Sequence, residues 1–156
     1  MERMMATFHI NGVRRDLVVD CNALLTEVLG DDLGLRGVHT SCGGGDCGAC
    51  TVLLDGEPAL ACLTLAVSAR DRQITTIEGV AKGRDLHPLQ DAFVQAGAVQ
   101  CGYCAPGMLL SSLALLERNP RPSRAEVAAG LAGNLCRCTG YNKIVDAVML
   151  AANGGV

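Results

Sequence analysis

The chain has no tryptophan, and its aromatic side chains are two Tyr and two Phe, 3% of 156 residues. Stacking platforms for single-stranded nucleic acid are therefore not expected. Positive charge is not in excess either. The net charge is −3, so no basic face for duplex DNA is implied and no nucleic-acid partner is expected. No apolar run reaches the ~18 residues of a membrane span. Residues 1–10 lack the apolar core of a signal peptide, and Arg14-Arg15 is followed by Asp16 rather than by an apolar stretch. These features predict a cytoplasmic protein, in a compartment where disulfides are disfavoured. Also missing are a Ser-His-acid set, a dinucleotide Gly fingerprint and a phosphate loop, because the glycines at 43–48 are not followed by Lys-Ser/Thr. The length leaves no room for a large enzyme with its own deep cleft. What the chain does have is nine Cys and nineteen Gly, in a sequence that is 49% hydrophobic.

Eight of the cysteines form two groups of four. Cys42, Cys47 and Cys50 follow the pattern C-x4-C-x2-C, with Cys62 further on. Cys101-x2-Cys104 and Cys136-x-Cys138 make the second group. In a reducing compartment such clusters indicate metal ligation. Four thiolates complete either one [2Fe–2S] cluster or one tetrahedral zinc site. The first spacing is that of plant-type ferredoxins. Its loop, Cys42-Gly43-Gly44-Gly45-Asp46-Cys47-Gly48-Ala49-Cys50, has the glycines needed to wrap a wide anionic cluster and aim backbone N–H groups at its sulfurs. The second group, on its own spacing, leaves zinc open. Pro106 after Cys104 suits a helix start, and Gly133-Asn134-Leu135 before Cys136 reads as a helix stop, so this site is expected between helix ends.

The organisation is α+β. Residues 6–10 and 13–20 read as a hairpin around Asn11-Gly12, and residues 51–54 as a strand turned back at Asp55-Gly56. Residues 73–77 read as the last strand, and residues 23–29 as a short helix across a small mixed sheet. Residues 80–86 read as a linker. Beyond it four helices are expected, at 88–96, 106–118, from the Ser123–Glu126 capping box to about 131, and at 141–152. The domains are therefore 1–79, binding one cluster, and 87–156, helical and binding the other. Two halves this small need bound metal for stability.

Three stretches identify a family. They are Cys47-Gly48-Ala49-Cys50-Thr51-Val52, Gln100 to Met108 (QCGYCAPGM) and Gly133 to Tyr141 (GNLCRCTGY). Together they resemble the small iron–sulfur subunit of the xanthine oxidase family of molybdenum hydroxylases, over about residues 5 to 152. The resemblance implies a ferredoxin β-grasp domain followed by a four-helix domain with its cluster buried near the centre, and it replaces zinc by a second [2Fe–2S] cluster. It also implies a large partner subunit with a molybdenum–pterin cofactor and a medium partner subunit with FAD, in a heterotrimer that can dimerise. Electrons would leave the molybdenum, cross the helical-domain cluster and then the ferredoxin-like one, and reach FAD. Gln100 and Cys138 would contact the pterin. The chain itself would make no bonds in the substrate. Ser41 stands where many members have Gly, and His39 where many have Lys; neither change removes a ligand. A free two-cluster ferredoxin-type carrier is the alternative. Cys21 is expected in the core, His9, His39 and His87 at structural or surface positions, and Arg137 beside the second cluster or facing solvent or a partner.

Overall fold

A computed structural model describes residues 2–154. Its first half is a five-stranded sheet. Strands β1 (Arg3–Ile10) and β2 (Val13–Asp20) form the expected hairpin, with Asn11 and Gly12 at φ 51° and 78° in the turn. A tight two-residue turn needs positive φ at both positions, which Asn and Gly tolerate. Strands β3 (Thr51–Leu54) and β4 (Glu57–Leu60) form a second hairpin, turned at Asp55-Gly56. Pro58 lacks an N–H and is tolerated because β4 lies at the sheet edge. Strand β5 (Gln73–Thr75) completes the order β2-β1-β5-β3-β4, parallel to β1 and antiparallel to β3. Alternate residues of β1, Ala6, Phe8 and Ile10, enter a core with Leu25, Val28, Leu29, Val52 and Ile74.

Two local expectations change. The helix expected over 23–29 is mainly a π-helical turn, Glu27–Asp32. Leu33 N–H reaches back five residues to the Val28 carbonyl, and the Glu27 carboxylate accepts from Leu24 N–H at 2.7 Å. The wider winding still buries Val28 and Leu29. Strand β5 stops at Thr75 rather than at 77 because Thr76 is engaged elsewhere. Its N–H donates to Asn11 Oδ1 and its hydroxyl accepts from Asn11 Nδ2, both at 2.9 Å. The first hairpin turn thus holds the chain where it leaves the sheet. Gly79 is required there, because a Cβ would stand 2.3 Å from Asn11 Oδ1.

The second half contains four helices, α1 (Pro88–Gln95), α2 (Ala105–Arg118), α3 (Arg124–Gly130) and α4 (Asn142–Ala152). Leu89, Phe93, Met108, Val127, Ile144 and Val148 form its core. The Ser123–Glu126 capping box is present. A second one was not foreseen: His87 Nδ1 accepts from Leu89 N–H at 3.1 Å, and Gln90 Oε1 accepts from His87 N–H at 2.9 Å. Leu53 of β3 packs with Leu110 and Ala114 of α2, so an apolar contact joins sheet and helices.

Candidate metal centres

The second hairpin assembles the first group of cysteines. Cys50 immediately precedes β3, and Cys62 lies in the turn Ala61–Leu63 just after β4. Thr51 pairs with Leu60, and Ala61 N–H donates to the Cys50 carbonyl at 3.2 Å, which brings the Cys62 thiol against that of Cys50. The preceding loop carries Cys42 and Cys47, also in contact. Gly43, Gly45 and Gly48 take φ of 62°, 85° and 69°, so the loop folds back on itself. Asp46 N–H then points at Cys42 Sγ, 3.3 Å away. Backbone N–H groups, that of Gly44 foremost, bring the exposed Cys42 thiol down to about 6. Burial pushes the Cys50 thiol up to about 11.

The second group comes from helix ends and the loop after α3. Cys101 and Cys104 precede α2, and Cys136 and Cys138 precede α4. Cys101 Sγ and Cys138 Sγ lie 3.6 Å apart at the surface. Cys104 and Cys136 make a deeper pair. Burial raises the Cys104 thiol to about 12. Burial acts the same way on Cys136, but the Thr139 hydroxyl, donating to its Sγ at 3.1 Å, and nearby N–H groups prevail and lower it to about 7. The neighbouring Cys101 thiol raises that of Cys138.

Each group therefore consists of an outer pair, Cys42/Cys47 or Cys101/Cys138, and an inner pair, Cys50/Cys62 or Cys104/Cys136. All are free thiols. Among the described residues, no three His, Cys, Asp or Glu side chains converge as a single metal ion would require. Two pairs side by side suit a two-iron cluster, in which each iron takes two thiolates. The outer pair of the second group is open to solvent on this chain, rather than buried near the domain centre as expected. Gln100 is exposed beside it.

Several neighbours escaped the sequence reading. Tyr141, expected as the first helical residue, is instead the N-cap of α4 at φ 69°, uncommon for a bulky side chain. Its hydroxyl accepts from Cys136 N–H at 3.0 Å, and its own N–H donates to Thr139 Oγ1. His39 stacks on Tyr103 with ring centroids 4.3 Å apart, and its Nδ1 lies 2.8 Å from the Tyr103 carbonyl. Leu135 N–H donates to the Cys47 carbonyl at 2.9 Å, joining the two cysteine loops directly. Cys21, expected in the core, is half-buried beyond the end of β2.

Comparison with known proteins agrees with this geometry. Residues 8–73 match a family described as a 2Fe-2S iron-sulfur cluster binding domain, and residues 76–149 match a [2Fe-2S] binding domain. The chain is 46% identical to the nicotinate dehydrogenase small FeS subunit of Eubacterium barkeri, covering 97% of this chain and 96% of that one. It is 50% identical to the aldehyde oxidoreductase of Megalodesulfovibrio gigas, over 92% of this chain but 16% of that protein. The quinoline 2-oxidoreductase structure from Pseudomonas putida 86 superimposes with a TM-score of 0.93 at 42% identity and covers 100% of both chains. The fold is thus a ferredoxin-like [2Fe–2S] domain followed by a helical [2Fe–2S] domain, and the chain belongs to the small, electron-transferring iron–sulfur subunits of the xanthine oxidase family of molybdenum hydroxylases.

Proposed function

We propose that this chain relays electrons from a molybdenum–pterin centre on a large partner subunit to FAD on a medium partner subunit, in a cytoplasmic heterotrimer. Cys101, Cys104, Cys136 and Cys138 would hold the [2Fe–2S] cluster nearer the molybdenum. Cys42, Cys47, Cys50 and Cys62 would hold the one nearer the flavin. Bound at these sites, each cluster supplies a centre that accepts and returns one electron at a time. Residues 1–79 form the first domain, 80–86 the connector and 87–156 the second domain. Gln100 and Cys138 would lie against the pterin.

The residues of this chain define the two environments. Backbone N–H groups of the 42–50 loop favour the Cys42 thiolate, as does the Thr139 hydroxyl at Cys136. The same kind of hydrogen bond to a cluster sulfur sets its reduction potential. Cys50 and Cys62 belong to the core that holds Val52 and Ala61, and Cys104 and Cys136 pack against the core that holds Met108.

One observation carries the reading. The outer pair Cys101/Cys138 opens to the surface beside apolar residues that solvent alone does not favour: Val99 is 43% exposed, Tyr103 45%, Leu135 53% and Tyr141 39%. A large partner placed over this face would cover them and exclude water from the second site. The test is native purification through a tag on this chain, with iron, molybdenum and flavin measured together. The expected result is about four irons per chain, with molybdenum, flavin and two larger subunits co-purifying. Iron with no molybdenum and no partner would overturn the reading in favour of a free two-cluster carrier.

A further inference from the structure

Asn134 lies two residues before Cys136, in a segment whose sequence reads as a helix stop. The structure gives it another task. It is 5% exposed and stands between the two halves. Its Nδ2 donates to the Gly48 carbonyl at 3.0 Å and to Thr51 Oγ1 at 3.2 Å, while its Oδ1 accepts from Ser111 Oγ at 2.7 Å. The Thr51 hydroxyl donates in turn to the Gly48 carbonyl at 2.7 Å, which leaves its oxygen free to accept from Asn134. The amide therefore has one permitted orientation, with NH2 towards the first half and oxygen towards α2.

The backbones around it touch. A Cβ on Gly107, in the first turn of α2, would stand 2.4 Å from the Gly48 carbonyl oxygen. A Cβ on Gly48 would stand 2.4 Å from the Gly133 carbonyl oxygen and 2.5 Å from Asn134 Nδ2. Gly48 lies between Cys47 and Cys50, and Gly107 three residues after Cys104. The Leu135–Cys47 hydrogen bond runs alongside. Main chain from each cysteine group is thus packed on main chain from the other, with no side chain between them, and Asn134 closes the contact.

We propose that Asn134 is a positioning residue: it fixes the separation of the two cysteine groups, and so of the two clusters between which electrons pass. The proposal rests on the functional reading above. It requires the amide specifically. A carboxylate of the same size would face the Gly48 carbonyl with no proton to offer, and would leave that buried acceptor short of one donor.

The test uses the whole purified complex, fully reduced, with low-temperature EPR. Wild type is expected to show two [2Fe–2S] signals, each split or relaxed by the other; a dipolar interaction of this kind falls with the cube of the separation. Asn134→Asp, Asn134→Ala and Gly107→Ala are expected to weaken that interaction and slow inter-cluster transfer while each signal keeps its integrated intensity. Thr51→Val, which removes one acceptor, is expected to do so by less. Gly107→Ala is the sharpest variant, because alanine favours the helix itself and disturbs only the contact. A lowered melting temperature with an unchanged interaction across the loaded variants would make Asn134 merely structural and overturn the proposal. If the Asn134 variants fail to load iron, Thr51→Val and Gly107→Ala decide by the same criterion. A wild type without two signals removes the functional reading itself, and the proposal with it, before any variant is made.

Discussion

The first four cysteines are gathered by a glycine-rich loop and a β-hairpin, the second four by the approaches to two helices. In the loop, positive φ at Gly43, Gly45 and Gly48 turns N–H groups inward around Cys42. Among the helices no comparable run of glycines exists, and side chains join the main-chain N–H groups. The Thr139 hydroxyl serves Cys136 Sγ, and the Tyr141 hydroxyl occupies Cys136 N–H. Both routes lead to the same plan, an inner pair and an outer pair. Two unrelated local structures thus bring four thiols into the same arrangement, one with main-chain donors alone and one with main-chain donors joined by a side-chain hydroxyl.

The two sites should separate most clearly when a single cysteine is replaced. Cys47→Ser is expected to remove the first cluster, about half of the about four irons, together with its EPR signal, and leave the other signal in place. Cys138→Ser is expected to do the reverse. Iron analysis with EPR checks both; loss of the two signals together from either variant would mean that the sites are not independently held.

The cores come next. Phe8 and Phe93 are completely buried, one in each half. Truncation to alanine costs about 3–5 kcal/mol at such positions. Phe8→Ala is expected to weaken iron retention in the loop site first, and Phe93→Ala in the helical site first. Thermal release of iron followed by EPR distinguishes the two.

The smallest effect sharpens the helical side alone. Ser123 N–H, followed by the Ser123 hydroxyl, holds the Glu126 carboxyl below the ordinary glutamate range in the folded state. A depressed carboxylate adds stability above the unfolded pKa, and that contribution is lost as pH falls through the folded one. Glu126→Gln is therefore expected to lower the melting temperature slightly at neutral pH, with the difference closing in acid. A pH series of melting curves checks it.

Legibility in the sequence differed between the same two regions. The loop site could be read from spacing because its donors are main-chain groups that glycines place locally. The helical site could not be read alone; C-x2-C with C-x-C suits zinc as well, and the pairing Cys101/Cys138 joins residues far apart in the chain. Hairpins announced by Asn11-Gly12 and Asp55-Gly56 were visible, as was the Ser123 cap. The π-helical turn was not, because its apolar spacing matches an α-helix. The bridging role of Asn134 was not visible for a related reason. Its local context is that of a helix stop, and its partners, Gly48 and Thr51, are near it only after folding.

That separation orders events during biosynthesis. Gly48 and Asn134 are 86 residues apart. Synthesis at ~5–20 residues per second leaves on the order of ten seconds between them. Throughout that interval the Gly48 flank of the 42–50 loop lacks its Asn134 contact on the nascent chain, and it is closed only once the chain through Asn134 is available. The cysteines of the first site are all made before that contact can form, whereas the second group is incomplete until Cys138 has been added.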